Sequence, residues 1–170
     1  MTITFRCAGP DDDALLHHIG LTSYLHHFAH LWVCPDELAA FVEQEFSLDA
    51  IRHSLQSPGC QWIIAHTTQP VGFAKVSWHE AMPHMSPQGA FLNKIYLLPK
   101  MTGQGLGTEL FREVIRLAKD HGETALWLEV LEANQSARRF YERHGMHVMK
   151  QHVFRSPHQE STLFLMAGSI

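Results

Sequence analysis

The spacing of apolar positions changes several times along the chain, and each change marks an element. Ile3 to Cys7 alternates apolar and polar side chains, the two-residue period of a strand. Pro10-Asp11-Asp12-Asp13 then opens a helix, because acidic side chains suit the positive end of the helix dipole. Leu15, Leu16 and Ile19 give it an apolar face, and the pattern runs on towards Leu31. Pro35-Asp36-Glu37 opens a second helix, with Leu38, Phe41, Val42 and Phe46 at helical spacing. Ser47 caps a short third one with Leu48, Ile51 and Leu55 inward, and Ser57-Pro58-Gly59 ends the helical stretch.

Strand-like runs follow at Gln61 to His66, Val71 to Glu80 and Ala90 to Leu98, punctuated by turns at Gln69-Pro70 and Pro83 to Gly89. The segment from Leu106 to Lys119 is an amphipathic helix. Leu110, Phe111, Val114, Ile115 and Ala118 form its apolar stripe, and Glu109, Arg112, Glu113, Arg116 and Lys119 its charged face. Ala125 to Val130 is another strand. A last helix runs from Asn134 to a C-terminal glycine, Gly145. Strands Met146 to Phe154 and Thr162 to Ala167 close the chain around a turn at Ser156-Pro157. This order predicts an α/β (α+β) fold, a mixed sheet covered by helices on both faces. Without a linker, repeat or low-complexity tract, residues 1–170 are expected to form a single domain.

Charge and cysteine content narrow the function. The chain carries 13 basic and 17 acidic side chains, a net charge of −4. No basic stripe is present, so nucleic acid is not an expected partner, and the mild acidic excess is compatible with a cationic substrate. Cys7, Cys34 and Cys60 are odd in number and far apart, which fits reduced thiols and not a disulfide framework. The N-terminus reads as a strand, not a signal peptide, and no apolar run approaches the ~20 residues of a membrane span. A cytoplasmic protein without a membrane partner is the expectation.

The candidate chemistry lies between Asn93 and Met146. There Thr102-Gly103-Gln104-Gly105-Leu106-Gly107 stands between a strand and a helix. A helix N-terminus leaves backbone N–H groups unpaired, and glycines let a phosphate approach them. A glycine turn alone is also compatible with no ligand. A P-loop is excluded because Gly107-Thr108 lacks the preceding lysine. A dinucleotide fingerprint is excluded because the third glycine comes one position early.

The whole block resembles the GNAT superfamily of N-acetyltransferases. Their pyrophosphate motif, Arg/Gln-x-x-Gly-x-Gly/Ala, falls on Thr102 to Gly107, with Thr102 at the position of the charged or amide residue. Their second signature is matched in full by Asn134-Gln135-Ser136-Ala137-Arg138-Arg139-Phe140-Tyr141-Glu142-Arg143-His144-Gly145-Met146. The resemblance implies acetyl-CoA as cosubstrate and a mostly antiparallel sheet of six to seven strands with one splayed pair. It also implies that the pantetheine lies like an added strand beside Ile95, Tyr96 and Leu97, with Leu128 to Val130 opposite. Thr102, Gly103, Gln104, Gly105, Leu106, Gly107, Thr108, Asn134, Ala137 and Tyr141 complete the implied cofactor set. Phe28 to Phe46, Lys94 to Leu98 and the tail Val153 to Leu163 look like bacterial spermidine/spermine N-acetyltransferases. That likeness implies a polyamine acceptor and, as in many relatives, a homodimer formed through the C-terminal strands.

In this family a backbone N–H of the fourth strand polarises the thioester carbonyl, which falls on Leu97, and Tyr141 is the acid for the departing thiolate. As an isolated residue Tyr141 reads equally as a core tyrosine beside Phe140 and Ala137. The sequence does not identify the base. His79 and Glu80 are candidates, and so are they exposed residues at a strand end. Asp36, Glu37, Glu43 and Glu45 are candidates to attract a polycation, or a solvated helix face. Fourteen histidines, with His26 and His30 one helical turn apart, keep a metal-binding regulator open, although no ligand set is completed and no metal is expected. A CoA-binding regulator without catalysis, and acceptors such as a protein amine or an aminated antibiotic, are the other readings.

Overall fold

The computed structural model describes residues 2–83 and 88–170. Its strands are β1 (Thr4–Cys7), β2 (Cys60–His66), β3 (Pro70–Ala81), β4 (Gln88–Leu97), β5 (Ala125–Leu131), β6 (His147–Ser156) and β7 (Gln159–Ser169). Its helices are α1 (Asp13–Phe28), α2 (Pro35–Phe46), α3 (Leu48–Leu55), α4 (Leu106–Asp120) and α5 (Gln135–Arg143). The strands form one seven-stranded sheet in the order β1-β2-β3-β4-β5-β7-β6. The sheet is mixed and flanked by helices. β1 pairs antiparallel with β2, and β7 antiparallel with both β5 and β6. β4 and β5 run parallel, paired at Ala90↔Leu126 and Phe91↔Trp127.

Several boundaries differ from those read in the sequence, among them β7, which begins at Gln159 and not at Thr162, and the two that follow. The first helix does not run from Pro10 to Leu31. It is preceded by a 3-10 turn, Pro10–Asp12, and followed by another, Ala29–Leu31. Asp12 closes the first turn by accepting the Gly9 N–H and the Arg6 guanidinium, both at 2.7 Å. Within the turn expected from Pro83 to Gly89, residues 84–87 lie outside the described residues, and β4 already begins at Gln88. A Cβ at Gly89 would stand 2.8 Å from Ala125 O, so a glycine is needed where the two backbones approach.

The chain divides into two compact units. The first holds the residues up to Val76 together with Lys94–Val114. Its core is Leu16, Ile19, Tyr24, Phe46, Ile51, Trp62, Ile64 and Phe73. The helical faces read from the sequence supply most of these. Ser47 caps α3, its Oγ accepting the Ala50 N–H at 3.1 Å. Tyr24 sits among aromatic rings, with centroids 5.0 Å from both Phe28 and Phe41. The second unit holds Ser77–Asn93 and Ile115–Ile170. Its core includes Met82, Trp127, Leu165 and Ala167, with Phe91 stacked on Trp127 at 4.1 Å.

Burial of Tyr24 makes stability depend on alkaline pH. Loss of water pushes its phenol up to about 12, against a hydrogen bond from Trp32 and with help from the Glu45 charge. The folded chain therefore holds this proton more tightly than the unfolded chain. The contribution is complete below pH 10.0 and is lost as pH rises towards 12. Urea melts across that window should show a shallower loss of stability in Tyr24→Phe than in the parent protein. Equal slopes would contradict this reading.

Candidate active site

The glycine turn leads into α4 in the first unit. Gly103 and Gly105 have φ of +77° and +78°, the left-handed region that glycine adopts without strain. A Cβ at either would meet no protein atom within 4 Å. Glycine is required there by backbone conformation, and the space beside it is open to a ligand. The first backbone bond into the helix runs from Glu109 N–H to Gly105 O at 3.2 Å. The N–H groups of Leu106, Gly107 and Thr108 precede it and have no carbonyl four residues back within α4. Thr102 and Gln104 are exposed, and Gln104 Nε2 donates to Lys100 O at 2.9 Å, bracing the turn. These groups fit the phosphates of a CoA thioester, which need backbone donors and a positive helix end.

The C-terminal end of β4, from Lys94 to Leu97, lies in the same unit. Tyr96 directs its ring into the aromatic core, with centroids 5.6 Å from Phe28 and from Phe73. Ile95 and Leu97, its neighbours, are half-buried. The Leu98 N–H donates to Val71 O at 2.9 Å, which ties this end to β3. The β4–β5 pairs Ala90↔Leu126 and Phe91↔Trp127 precede the part of β4 that lies in this unit.

Ala137 and Tyr141 lie on α5, and Asn134 directly precedes it, in the second unit. Asn134 caps the helix, its Oδ1 accepting the Ala137 N–H at 3.3 Å. Tyr141 is buried with its ring 5.5 Å from Phe140, edge to face. Burial pushes its phenol well above the ordinary value of 10.0. The group is therefore a neutral O–H at physiological pH, able to donate and unable to act as a base. Gly145, at φ +85°, ends the helix as expected.

Of the two candidate bases, His79 takes a left-handed φ of 53° and its Nδ1 pairs with the buried carboxylate of Glu123. Glu80 is exposed, and its carbonyl accepts the Trp127 indole N–H at 3.2 Å. The four acidic residues of α2 also separate. Asp36 and Glu43 are exposed and Glu37 is half-buried. Glu45 is not part of a solvated face, because its Oε1 accepts from Lys94 Nζ at 2.7 Å. Lys94 is buried, and loss of water lowers its ammonium below the usual lysine value, opposed by Glu45. A lysine inside a buried strand was the only sequence signal for this pair. Four of the histidines have a structural use. The rings of His17, His27, His121 and His144 lie within hydrogen-bond reach of the carbonyls of Phe46, Leu97, Leu117 and Phe140.

Residues 22–146 match the family model described as the Acetyltransferase (GNAT) family. An uncharacterized N-acetyltransferase of Lactobacillus delbrueckii subsp. lactis is 28% identical over 138 residues, 80% of each chain. One from Mycobacterium tuberculosis is 31% identical over 124 residues, covering 72% of this chain and 76% of the relative. Among solved structures, the PaiA N-acetyltransferase of Thermoplasma acidophilum in complex with coenzyme A superposes over 100% of both chains. Its TM-score is 0.79 at 19% identity. The ribosomal-protein-S18-alanine N-acetyltransferase of Escherichia coli covers 99% of this chain and 94% of its own, with a TM-score of 0.70 at 20% identity.

Proposed function

Since this chain belongs to the acetyltransferase (GNAT) family, we propose that its acetyl-CoA-dependent N-acetyltransferase activity serves a primary amine of a small molecule, by direct transfer in a ternary complex, with a polyamine such as spermidine or spermine preferred. The observation that carries the reading is the pair of left-handed glycines at the open N-terminus of α4. They suit the diphosphate of the acetyl carrier, and Leu106, Gly107 and Thr108 add their backbone donors. The thioester supplies an activated acetyl carbon.

In this reading the β4 edge at Ile95 and Leu97 orients the carrier arm, and the Leu97 N–H donates to the carbonyl oxygen as charge develops there. Placing amine and thioester in line contributes several kcal/mol, within the ~7–11 kcal/mol of ideal orientation. Tyr141 gives its phenolic proton to the departing thiolate. Its raised pKa makes it a weaker acid than in water. The same dry surroundings raise the affinity of the thiolate for a proton, so the transfer stays feasible. The acceptor amine reaches the site mostly charged and gives up one proton to water before attack, and the second proton its nitrogen sheds as the amide forms restores the Tyr141 phenol by way of solvent.

The polyamine preference is supported by the excess of four negative charges and by the carboxylates of Asp36, Glu37 and Glu43. Glu45 drops out of that set. A homodimer is supported by β6, which ends the sheet and exposes Val148, Met149, Val153 and Phe154. Free thiols at Cys7, Cys34 and Cys60 suit a reducing cytoplasm.

Thiol release from acetyl-CoA, measured against polyamines, amino sugars, amino acids and peptides, tests the reading. The highest kcat/KM is expected with spermidine or spermine. A peptide or amino-sugar preference would move the acceptor class, and no release with any amine despite binding would leave a regulator.

A further inference from the structure

We infer that His27 is a positioning residue that fixes the reacting end of β4 by capping the Leu97 carbonyl. The inference rests on the reading of Leu97 as the residue whose N–H meets the thioester oxygen. The His27 ring Nε2 lies 2.9 Å from Leu97 O. A carbonyl oxygen only accepts, so Nε2 carries the hydrogen and donates it. His27 stands on the last turn of α1, 70 residues away in sequence, and its ring is held edge-on against Phe28 at 6.2 Å.

The peptide between Leu97 and Leu98 is gripped at both ends. Its carbonyl takes the His27 proton, and its N–H donates to Val71 O at 2.9 Å. In an extended strand the N–H and C=O of one residue point to the same edge, and those of the next residue to the other. Leu98 therefore points to β3, and Leu97 points to the opposite edge with both its N–H and its C=O. Tyr96 agrees with this alternation. Its carbonyl lies against β3, 2.6 Å from where a Cβ of Gly72 would stand, so the close approach needs glycine there.

On the outward edge Leu97 thus meets a histidine where a strand neighbour would otherwise lie. A buried or half-buried carbonyl needs a partner. Capping by a side chain satisfies it without adding a strand. That restrains the rotation about Leu97 that would swing its N–H off line. The ring acts through the backbone and touches no reacting atom.

His27→Phe keeps the ring packing and removes the donor, and His27→Gln restores an N–H donor on a flexible side chain. Backbone amide hydrogen exchange in the free protein gives the first readout. The Leu98 amide should exchange at least about tenfold faster in His27→Phe, while the Ile64 amide in β2 is unchanged. Steady-state kinetics give the second: kcat should fall about tenfold in His27→Phe, with the Kd of acetyl-CoA unchanged, and recover in part in His27→Gln. Unchanged exchange at Leu98 overturns the inference, as does a loss of kcat matched by an equal loss in thioester affinity and in Tm. Absence of turnover in the parent protein would count against the transferase reading, while the exchange arm still decides whether His27 holds the peptide.

Discussion

Tyr141→Phe should lower kcat for amine acetylation by about 10²-fold or more, the range for loss of a positioned general acid, while the Kd of acetyl-CoA changes by less than about twofold. The substitution removes one oxygen and keeps the ring, so the edge-to-face packing on Phe140 at 5.5 Å survives. Burial has already made the phenol neutral far above physiological pH, so no charge is lost from the folded protein. A drop in kcat with unchanged Tm is then a statement about proton transfer. The defect should also shrink when the leaving thiol is more acidic, because a better leaving group needs less help from a donor. Full turnover in Tyr141→Phe would leave the tyrosine as a core residue and hand the proton to solvent.

The largest expected effect on stability lies at Glu45. Glu45→Gln leaves the Lys94 ammonium, only 7% exposed, without its counter-charge. Breaking a buried pair from one side costs about 3–5 kcal/mol, and the low end of about 3 kcal/mol is expected because Glu45 remains partly in water. Replacing both partners, as in Glu45→Gln with Lys94→Met, removes the stranded charge, so the double variant should be more stable than the single one. The pH dependence has a definite sign. Lys94 has its folded pKa lowered by burial, so the folded state gives up this proton before the unfolded state does. Stability gains as pH rises from the folded pKa towards the ordinary 10.5, and losing Glu45 widens that window downward. Urea unfolding should therefore show the Glu45→Gln defect shrinking as pH is raised. A loss below about 1 kcal/mol, independent of pH, would mean that the pair is effectively solvated.

Local signals in the sequence carried the elements, and long-range contacts escaped it. The periodic apolar faces of α2, α3 and α4 and the alternation in β1 mark their elements because period is a property of a short window. The glycine turn was legible for the same reason. Its conformational demand sits in Gly103 and Gly105 themselves, and the helix that follows begins at the next residue, Leu106. The break between α1 and the turn Ala29–Leu31 was not visible, because the apolar pattern continues through it. His27 and Leu97, 70 residues apart, and Glu45 and Lys94, 49 apart, leave no spacing to detect. A histidine that caps a carbonyl looks the same in sequence as one on a surface. Fourteen histidines therefore read as surface or cleft-lining side chains, not as a set of backbone donors. The acceptor amine is the least legible part, since one fold serves many acceptors.

Calorimetric titration of acetyl-CoA into the parent protein and into Gly103→Ala/Gly105→Ala tests the central claim most directly. The account predicts one-to-one binding to the parent chain. It also predicts at least about a tenfold weaker Kd in the double variant, whose alanines disfavour the left-handed backbone that aims the N–H groups. No heat of binding to the parent protein at millimolar thioester, or equal affinity in both proteins, would contradict it.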